Sequence, residues 1–272
     1  MPRHLVPAAT AVAVLAALAV PGPALAIQSV QKFKGTASPS RAGTTARPQA
    51  VSLTTRAWFD AISPDLDRQV QFATANARVS ISRNGIINNR RFPSCTPAQI
   101  YDDEQRCPAG SRVGTGAGRG IGIGLDEAIT VRIFNLANGR GIALLIVGQS
   151  PLIIREVVVG KLTTLASDAR YRHRISFTVP RNLQSPAPGI IAALKDFRTT
   201  IPVQYLKRNG SYVRERSGIR RGQRIPYIAT TGCTRGRWYA KYVAQYTTAF
   251  DGAIESSQTV TSSQACLKAR TR

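Results

Sequence analysis

Six glycines recur at every second position between Val113 and Leu125, and this period constrains the stretch to an extended conformation. They are Gly114, Gly116, Gly118, Gly120, Gly122 and Gly124. Glycine destabilises a helix interior, whereas a period of two places successive side chains on opposite faces of a strand. The spacing therefore predicts a strand with one face of bare backbone.

Two interpretations of this glycine face remain open. The functional interpretation is close approach by a ligand, such as a sugar ring or a polymer chain. The structural interpretation is close approach by another part of the same protein, or a run of bulges at a sheet edge. We favour the structural interpretation, because it is the commoner reason for glycine in a strand. A phosphate-binding loop is excluded by spacing, since neither G-x-G-x-x-G nor G-K-[ST] occurs in the stretch.

Alternating patterns elsewhere extend the β prediction. Residues 77–82 alternate and end at the turn dipeptide Asn84-Gly85, and residues 128–134 alternate before a second Asn-Gly pair. The apolar run 141–147 fits a strand buried on both faces. Because no helix–strand alternation appears, we predict an all-β fold, an antiparallel β-sandwich of about ten strands.

Two segments have helical features. The first, 96–100, begins with the capping residue Thr96 and with Pro97 at the first helical position. The second candidate is 189–194. Residues 27–50 hold Pro, Gly and Ser in number, and we interpret them as an N-terminal strand followed by a long turn.

Residues 1–26 have the pattern of a secretory signal peptide. Arg3 precedes an uncharged apolar run from Leu5 to Val20, and Ala24-Leu25-Ala26 forms a small-x-small cleavage site. An uncleaved membrane anchor is the alternative, but a spanning helix needs about 20 apolar residues. We therefore expect a secreted or envelope-associated protein whose residues 27–272 form a single domain without a transmembrane segment.

Four cysteines, an even number in an exported chain, predict two disulfides. Of the three possible pairings we favour the sequential one, Cys95–Cys107 and Cys233–Cys266, because it closes the shortest loops. A zinc site is disfavoured, since no C-x-x-C spacing and no nearby histidine occur. No cysteine is left over as a catalytic thiol.

Catalytic side chains are scarce. After loss of the leader His173 is the sole histidine, and the flanking Arg172 and Arg174 would disfavour its protonated form. No G-x-S-x-G motif accompanies it, so a Ser-His-Asp triad is disfavoured.

Carboxylates offer the remaining route to catalysis. Asp102, Asp103 and Glu104 lie between the first two cysteines, and Asp126-Glu127 follow the glycine stretch. Paired carboxylates serve glycoside hydrolases, but neighbouring acids in a strand point to opposite faces. We favour a solvated turn and ion-pair partners for the many arginines. The D-x-[DN]-x-[DN]-G pattern of a Ca²⁺ loop is absent, and we predict no metal and no cofactor.

Basic and aromatic residues cluster late in the chain and could hold an anionic polymer or a glycan. The candidates are Arg214, Arg216, Arg220, Arg221, Arg224, Arg235, Arg237, Trp238, Tyr239, Lys241 and Tyr242. Rings stack on sugars, while guanidinium groups bind phosphate or carboxylate. We favour a plainer interpretation, in which the arginines form a solvated loop and the aromatic residues belong to an ordinary strand with half its rings in the core. Nucleic acid uses the same chemistry but is not an expected partner of an exported protein.

A cysteine–glycine motif spans the centre of the chain: Phe92-Pro93-Ser94-Cys95, then Cys107-Pro108-Ala109-Gly110-Ser111-Arg112-Val113-Gly114-Thr115-Gly116. It resembles a motif of exported bacterial proteins of unknown function. The segment 38–44 looks like the start of the same domain, and Cys233 and Cys266 fit its second half. The resemblance implies one continuous domain and carries no activity, cofactor or site residue.

The net charge of +23 draws such a protein to anionic polymers and surfaces, and salt weakens that attraction. We therefore expect a non-enzymatic exported or envelope-associated protein that engages an anionic polymer or polysaccharide. The alternatives are a carbohydrate-active enzyme with paired carboxylates and a purely structural surface protein. A flat face of arginine and tyrosine would favour the polymer-binding protein. A groove with two facing carboxylates would favour the carbohydrate-active enzyme.

Overall fold

The computed structural model describes residues 30–60, 72–122, 125–150, 152–207, 212–214, 224–247, 253–254 and 256–269. The predicted leader and three of the basic candidates, Arg216, Arg220 and Arg221, lie outside the described residues, and Arg214 is described by its backbone alone. No described helix is long and apolar enough to cross a membrane.

Strands account for most of the described chain. They are β1 (Val30–Ser38), β2 (Gln49–Ala50), β3 (Ser52–Asp60), β4 (Ala73–Ser82), β5 (Gly85–Ile87), β6 (Arg112–Gly122), β7 (Leu125–Asn135), β8 (Gly141–Gly148), β9 (Ile154–Thr164), β10 (Tyr171–Thr178), β11 (Ala193–Ile201), β12 (Gln204–Lys207), β13 (Tyr212–Arg214), β14 (Arg224–Pro226), β15 (Ile228–Thr230), β16 (Arg237–Thr247) and β17 (Ser256–Ala265). The α-helices are α1 (Pro97–Asp103) and α2 (Arg181–Gln184), and short 3₁₀ turns lie at Asn89–Arg91, Glu104–Arg106, Ala137–Gly139 and Thr234–Gly236.

One eleven-stranded sheet dominates, in the order β1-β3-β11-β6-β7-β8-β9-β10-β4-β16-β17, and each neighbouring pair is antiparallel. The sheet curves until its end strands β1 and β17 lie side by side. Two three-stranded sheets, β13-β12-β14 and β2-β15-β5, accompany it. The predicted all-β, antiparallel sandwich with two disulfides is confirmed, and the layers that face each other belong to one continuous sheet.

Side chains of β17 join the two end strands. Three of them accept hydrogen bonds from the backbone N–H groups of β1: Gln258 Oε1 from Gln31 at 2.8 Å, Ser262 Oγ from Gly35 at 3.1 Å, and Gln264 Oε1 from Ala37 at 2.6 Å. The three acceptors share one face of β17, because their numbers differ by even steps. This seam satisfies edge groups that would otherwise be open to another chain.

Both disulfides connect the cysteines in sequential order, as predicted. The Cα atoms of Cys95 and Cys107 are 5.4 Å apart, and those of Cys233 and Cys266 are 5.8 Å apart. The first bridge encloses α1. The second bridge joins the segment before β16 to the residue after β17. It therefore holds the end of the last strand of the large sheet.

The apolar strand β8 is buried on both faces, as its sequence predicts. Ile142, Leu144 and Ile146 point into the main core, and Ala143 and Leu145 pack beneath α1. This second small core explains why the segment between Cys95 and Cys107 folds against the outside of the sheet.

One predicted helix is confirmed and the other is wrong. In α1 the Thr96 hydroxyl accepts the Gln99 N–H at 3.2 Å, and Pro97 occupies the first turn. Residues 189–194 form no helix, because Gly189 has a φ of +76° and β11 begins at Ala193. The single turn of α2 lies upstream instead, just after Pro180.

The glycine face of β6 points toward the interior of the curved sheet, and the protein's own chain covers most of it. A Cβ on Gly118 would lie 2.8 Å from Ile129 Cδ1, and one on Gly114 would lie 2.6 Å from the Thr200 carbonyl oxygen. Gly120 and Gly122 are less closely covered, with nearest atoms at 3.4 and 3.5 Å. Gly120 and Gly122 line an interior cavity, and Gly124 lies outside the described residues.

Candidate anion-binding face and interior cavity

Cationic side chains occupy the outer face of four neighbouring strands, β9, β10, β4 and β16. Alternation places them there, since Ile175, Val79 and Tyr242 on the same strands turn inward. We call this surface the basic face and define it by Arg78, Lys161, Arg174, Arg237, Lys241 and Tyr239, together with Arg170 just before β10. The Tyr171 ring next to Lys241 is itself buried, at 5% exposed.

Strand register sets the spacing of these charges. Arg174 of β10 and Lys241 of β16 both pair with Ser80 of β4, from opposite sides. The next row of outward-facing residues is two positions along each strand. There Ser176 of β10 pairs with Lys161 of β9 on one side and with Arg78 of β4 on the other. Cations two strands apart are therefore roughly 10 Å apart at the backbone, and successive rows are about 7 Å apart. The result is a two-dimensional array of positive charge.

Tyrosine rings support two of the cations. Lys241 Nζ lies 4.8 Å from the centroid of the Tyr171 ring, and the guanidinium carbon of Arg170 lies 5.7 Å from that of Tyr239. A cation over an aromatic face is attracted by the ring quadrupole. The rings therefore restrain these two long side chains.

Asp168 is the acidic residue that the described chain places beside this array. Its Oδ1 accepts the backbone N–H groups of Arg170 at 2.9 Å and Tyr171 at 3.0 Å. These bonds, aided by the charges of Lys241 and Arg174, lower the pKa of Asp168 below its usual value. The carboxylate shapes the turn before β10 and offsets a small part of the positive charge.

The basic candidates from the sequence divide between surface and core. Tyr239, Lys241 and Arg237 lie on the basic face, where Arg237 donates to Ser263 Oγ at 2.8 and 3.0 Å. Arg235 is exposed in the turn before β16. Arg224 lies on the separate small sheet, 4.3 Å from the Tyr205 ring.

Two aromatic candidates belong to the core rather than to any surface. Trp238 is 5% exposed and its Nε1–H donates to the Gly232 carbonyl at 2.8 Å. Tyr242 is 6% exposed and stacks on Phe33 with ring centroids 5.3 Å apart. β16 is therefore an ordinary strand with half of its rings in the core, which is the interpretation that the sequence favoured.

Four cations of the basic face were not among the candidates predicted from the sequence: Arg78, Lys161, Arg170 and Arg174. They are spread over almost a hundred residues, and only the pairing of β9, β10, β4 and β16 brings them together. Their signal was the alternation of cations with apolar residues along each strand. That pattern shows an outward position but does not identify the neighbouring strand.

Two of the acidic candidates, Asp126 and Glu104, form ion pairs, as expected. A carboxylate oxygen of Asp126 lies 3.1 Å from Lys195 Nζ, and the other lies 3.2 Å from a guanidinium nitrogen of Arg119. The pKa of Asp126 is lowered, and the hydrogen bond from Lys195 is the largest cause. Glu104 pairs with Arg132 and so holds the end of α1 to the outside of β7. Within the ranges described, His, Cys, Asp and Glu form no group of three that could hold a metal ion.

His173 is buried among core residues. Its pKa is lowered to about 4, chiefly by burial and secondly by the charge of Arg172. The sequence predicted this direction from the flanking cations, but burial contributes more. The ring is therefore neutral at pH 7, and its Nδ1 has no hydrogen-bond partner among the described residues.

An apolar cavity of about 210 Å³ lies inside the curved sheet. Its walls come from both layers and include Phe33, Ala77, Ile129, Leu144, Phe177 and Tyr242. Glu127, which is 5% exposed, is the one carboxylate among the lining residues. Asp126 and Glu127 thus lie on opposite faces of β7, as neighbours in a strand must.

Comparison with known proteins gives no match: no family model, curated protein or solved structure resembles the chain closely enough to be assigned.

Proposed function

We propose that this is an exported, non-enzymatic protein that binds an anionic envelope polymer or acidic polysaccharide through the basic face. The observation that carries the proposal is the register of β9, β10, β4 and β16, which assembles separate cations into one array. The two disulfides support an extracytoplasmic location, because such bonds persist in oxidising compartments.

A polymer suits this array better than a small anion. A single exposed ion pair contributes only about 0–1 kcal/mol. A chain of repeating negative charges engages several cations at once, and each further contact is then intramolecular. Tyr239 adds an amphipathic ring on which a sugar can pack.

The enzymatic alternative receives less support from the geometry. Asp126 is held by Lys195 and Arg119 outside the sheet, whereas Glu127 is enclosed within it. These two acids therefore do not face each other across a groove, as the acid and base of a glycosidase do.

Charge reversal on and off the basic face tests the proposal. The first variant combines Arg174→Glu with Lys241→Glu; the control combines Arg106→Glu with Arg112→Glu, at exposed positions elsewhere. Both change net charge equally. Binding to polygalacturonate and to polyphosphate is measured over a salt series, with neutral dextran for comparison.

We expect the first variant to lose about tenfold or more in affinity near physiological salt, where exposed charges are still partly unscreened. The control should lose less than about twofold by the same argument. Equal losses in the two variants would reduce the effect to overall charge and contradict a specific face. Binding that ignores salt would contradict the electrostatic mechanism itself.

A further inference from the structure

We propose that the interior cavity binds a small linear amphiphile with a hydrogen-bond donor at its head, an alkyl alcohol or alkylamine, and that Glu127 accepts that donor. This site is separate from the basic face, because it lies on the inner side of the sheet.

The size and chemistry of the cavity suit an apolar guest. Its volume of about 210 Å³ exceeds the roughly 150 Å³ of an engineered apolar cavity that stays dry and takes up benzene. The aliphatic and aromatic walls offer water few hydrogen bonds. An alkyl chain would therefore fill space that water does not occupy favourably.

The shape favours a chain over a compact ring. Along β7 the lining residues run from Glu127 through Ile129 to Ile133. The six residue-to-residue steps from Glu127 to Ile133 cover about 20 Å of extended strand. Ile142 and Ile201 line the end away from Glu127, so the carboxyl group and the deepest apolar wall lie at opposite ends.

Glu127 is built into the cavity wall with half of its carboxyl group unsatisfied. Its Oε2 accepts the Leu152 N–H at 2.9 Å, while its Oε1 is buried without a partner among the described residues. A buried acceptor left unpaired is costly, so such groups ordinarily have a partner. A donor on a bound ligand would supply it.

One glycine makes room for this carboxyl group. It is Gly148 of β8, the strand that pairs with β7. A Cβ on Gly148 would lie only 2.4 Å from Glu127 Oε1. The missing side chain thus lets the carboxyl group rest against the backbone of the neighbouring strand.

The head group follows from the unpartnered Oε1, a carboxyl oxygen that accepts hydrogen bonds. A hydroxyl or ammonium group complements it, whereas the carboxylate of a fatty acid brings no donor. The site is therefore expected to separate amphiphiles by head group, even when their alkyl chains are identical.

The turn between β8 and β9 lies beside Glu127, since Leu152 of this turn donates to Glu127 Oε2. Leu152 lines the cavity together with Leu183 of α2 and Pro186 just after it. Ile153, beside Leu152, is 92% exposed. A ligand entering here would place its chain toward Ile142 and leave its head beside Glu127.

Three probes with one chain length test the proposal: decanol, decylamine and decanoate. Each displaces a fluorescent apolar dye from the purified protein. We expect decanol and decylamine to bind at least tenfold more tightly than decanoate. Failure of all three to displace the dye or to bind directly by calorimetry would overturn the cavity as a site, and equal affinity for all three would overturn the role of Glu127.

Two variants assign the preference to the carboxyl group. Glu127→Gln adds an N–H donor with little change in volume, so decanoate should gain at least fivefold relative to decanol. Thr74→Val is the matched control, because Thr74 is a buried polar residue of the same wall, and it should leave the preference intact. An unchanged preference in Glu127→Gln, or an equal change in both variants, would contradict the assignment. Polyanion binding should be unaffected in either protein.

Discussion

The hydroxyl of Tyr227 donates a hydrogen bond of 3.1 Å to Oδ1 of Asn135, and both side chains are completely buried. The amide nitrogen of Asn135 donates in turn to the carbonyls of Asn89 at 2.9 Å, Phe92 at 3.2 Å and Pro93 at 3.0 Å. The Asn135 side chain thus joins the end of β7 to the segment before α1 and to Tyr227, which lies between β14 and β15.

Tyr227→Phe tests this network by removing one hydroxyl. The Asn135 oxygen would be left buried without its donor, so the free energy of unfolding should fall by about 1–3 kcal/mol. Urea denaturation measures the change, with Tyr101→Phe as control because Tyr101 is 49% exposed. Equal, negligible effects of the two substitutions would mean that the buried bond contributes little.

Two residues of the cysteine–glycine motif, Phe92 and Pro93, contact this network. The carbonyls of Phe92 and Pro93 accept from Asn135, and the Phe92 ring meets Tyr227 edge-on at 4.9 Å. The sequence identified Phe92 and Pro93 as parts of a motif. It gave no sign of Asn135 or Tyr227, since a buried polar contact between distant residues has no local pattern.

Local patterns predicted the elements well and their assembly poorly. Alternation located β4 and β7, and cysteine spacing led to the right pairing. Neither the seam between β1 and β17 nor the array of Arg78, Arg174 and Lys241 could be derived, because both depend on which strands become neighbours. Register between strands distant in sequence is a tertiary property.

The glycine face yields a prediction that separates covered from open positions. Gly118→Ala should destabilise the protein by about 1–3 kcal/mol, because the new methyl group would overlap Ile129 in a packed region. Gly122→Ala is the matched control, since its nearest neighbour would be 3.5 Å away. Thermal denaturation of both variants measures the difference. Similar melting temperatures would show that the strand adjusts and that close packing does not explain the glycines.

Acid should weaken the fold partly through His173. Its pKa is about 4 in the folded protein and near 6.5 when exposed, so the unfolded chain binds a proton first as pH falls. This contribution to stability is complete above pH 6.5 and is lost as pH falls toward 4, with a slope of at most about 1.4 kcal/mol per pH unit. Urea denaturation between pH 7 and pH 4 measures the slope. In His173→Gln the slope between pH 6.5 and pH 5 should be smaller, and an unchanged slope would exclude His173 as its source.

Loss of the Cys233–Cys266 bridge should loosen the seam between β1 and β17. The bridge ends at Cys266, and the next residue, Leu267, donates to the Ser40 carbonyl at 3.0 Å and accepts from the Ala42 N–H at 2.9 Å. Without the bridge, β17 would be held by β16 and by the side-chain contacts of Gln258, Ser262 and Gln264.

The paired substitution Cys233→Ser with Cys266→Ser should lower the free energy of unfolding by about 4 kcal/mol by loop-closure entropy, against about 3 kcal/mol for the shorter Cys95–Cys107 loop. Hydrogen exchange distinguishes the two bridges further. Amides of β1 should exchange faster after loss of the second bridge, because the side chains that accept them become mobile. The control pair, Cys95→Ser with Cys107→Ser, should instead expose the amides of α1. If β1 exchanged equally in both variants, the second bridge would stabilise the protein globally rather than through the seam.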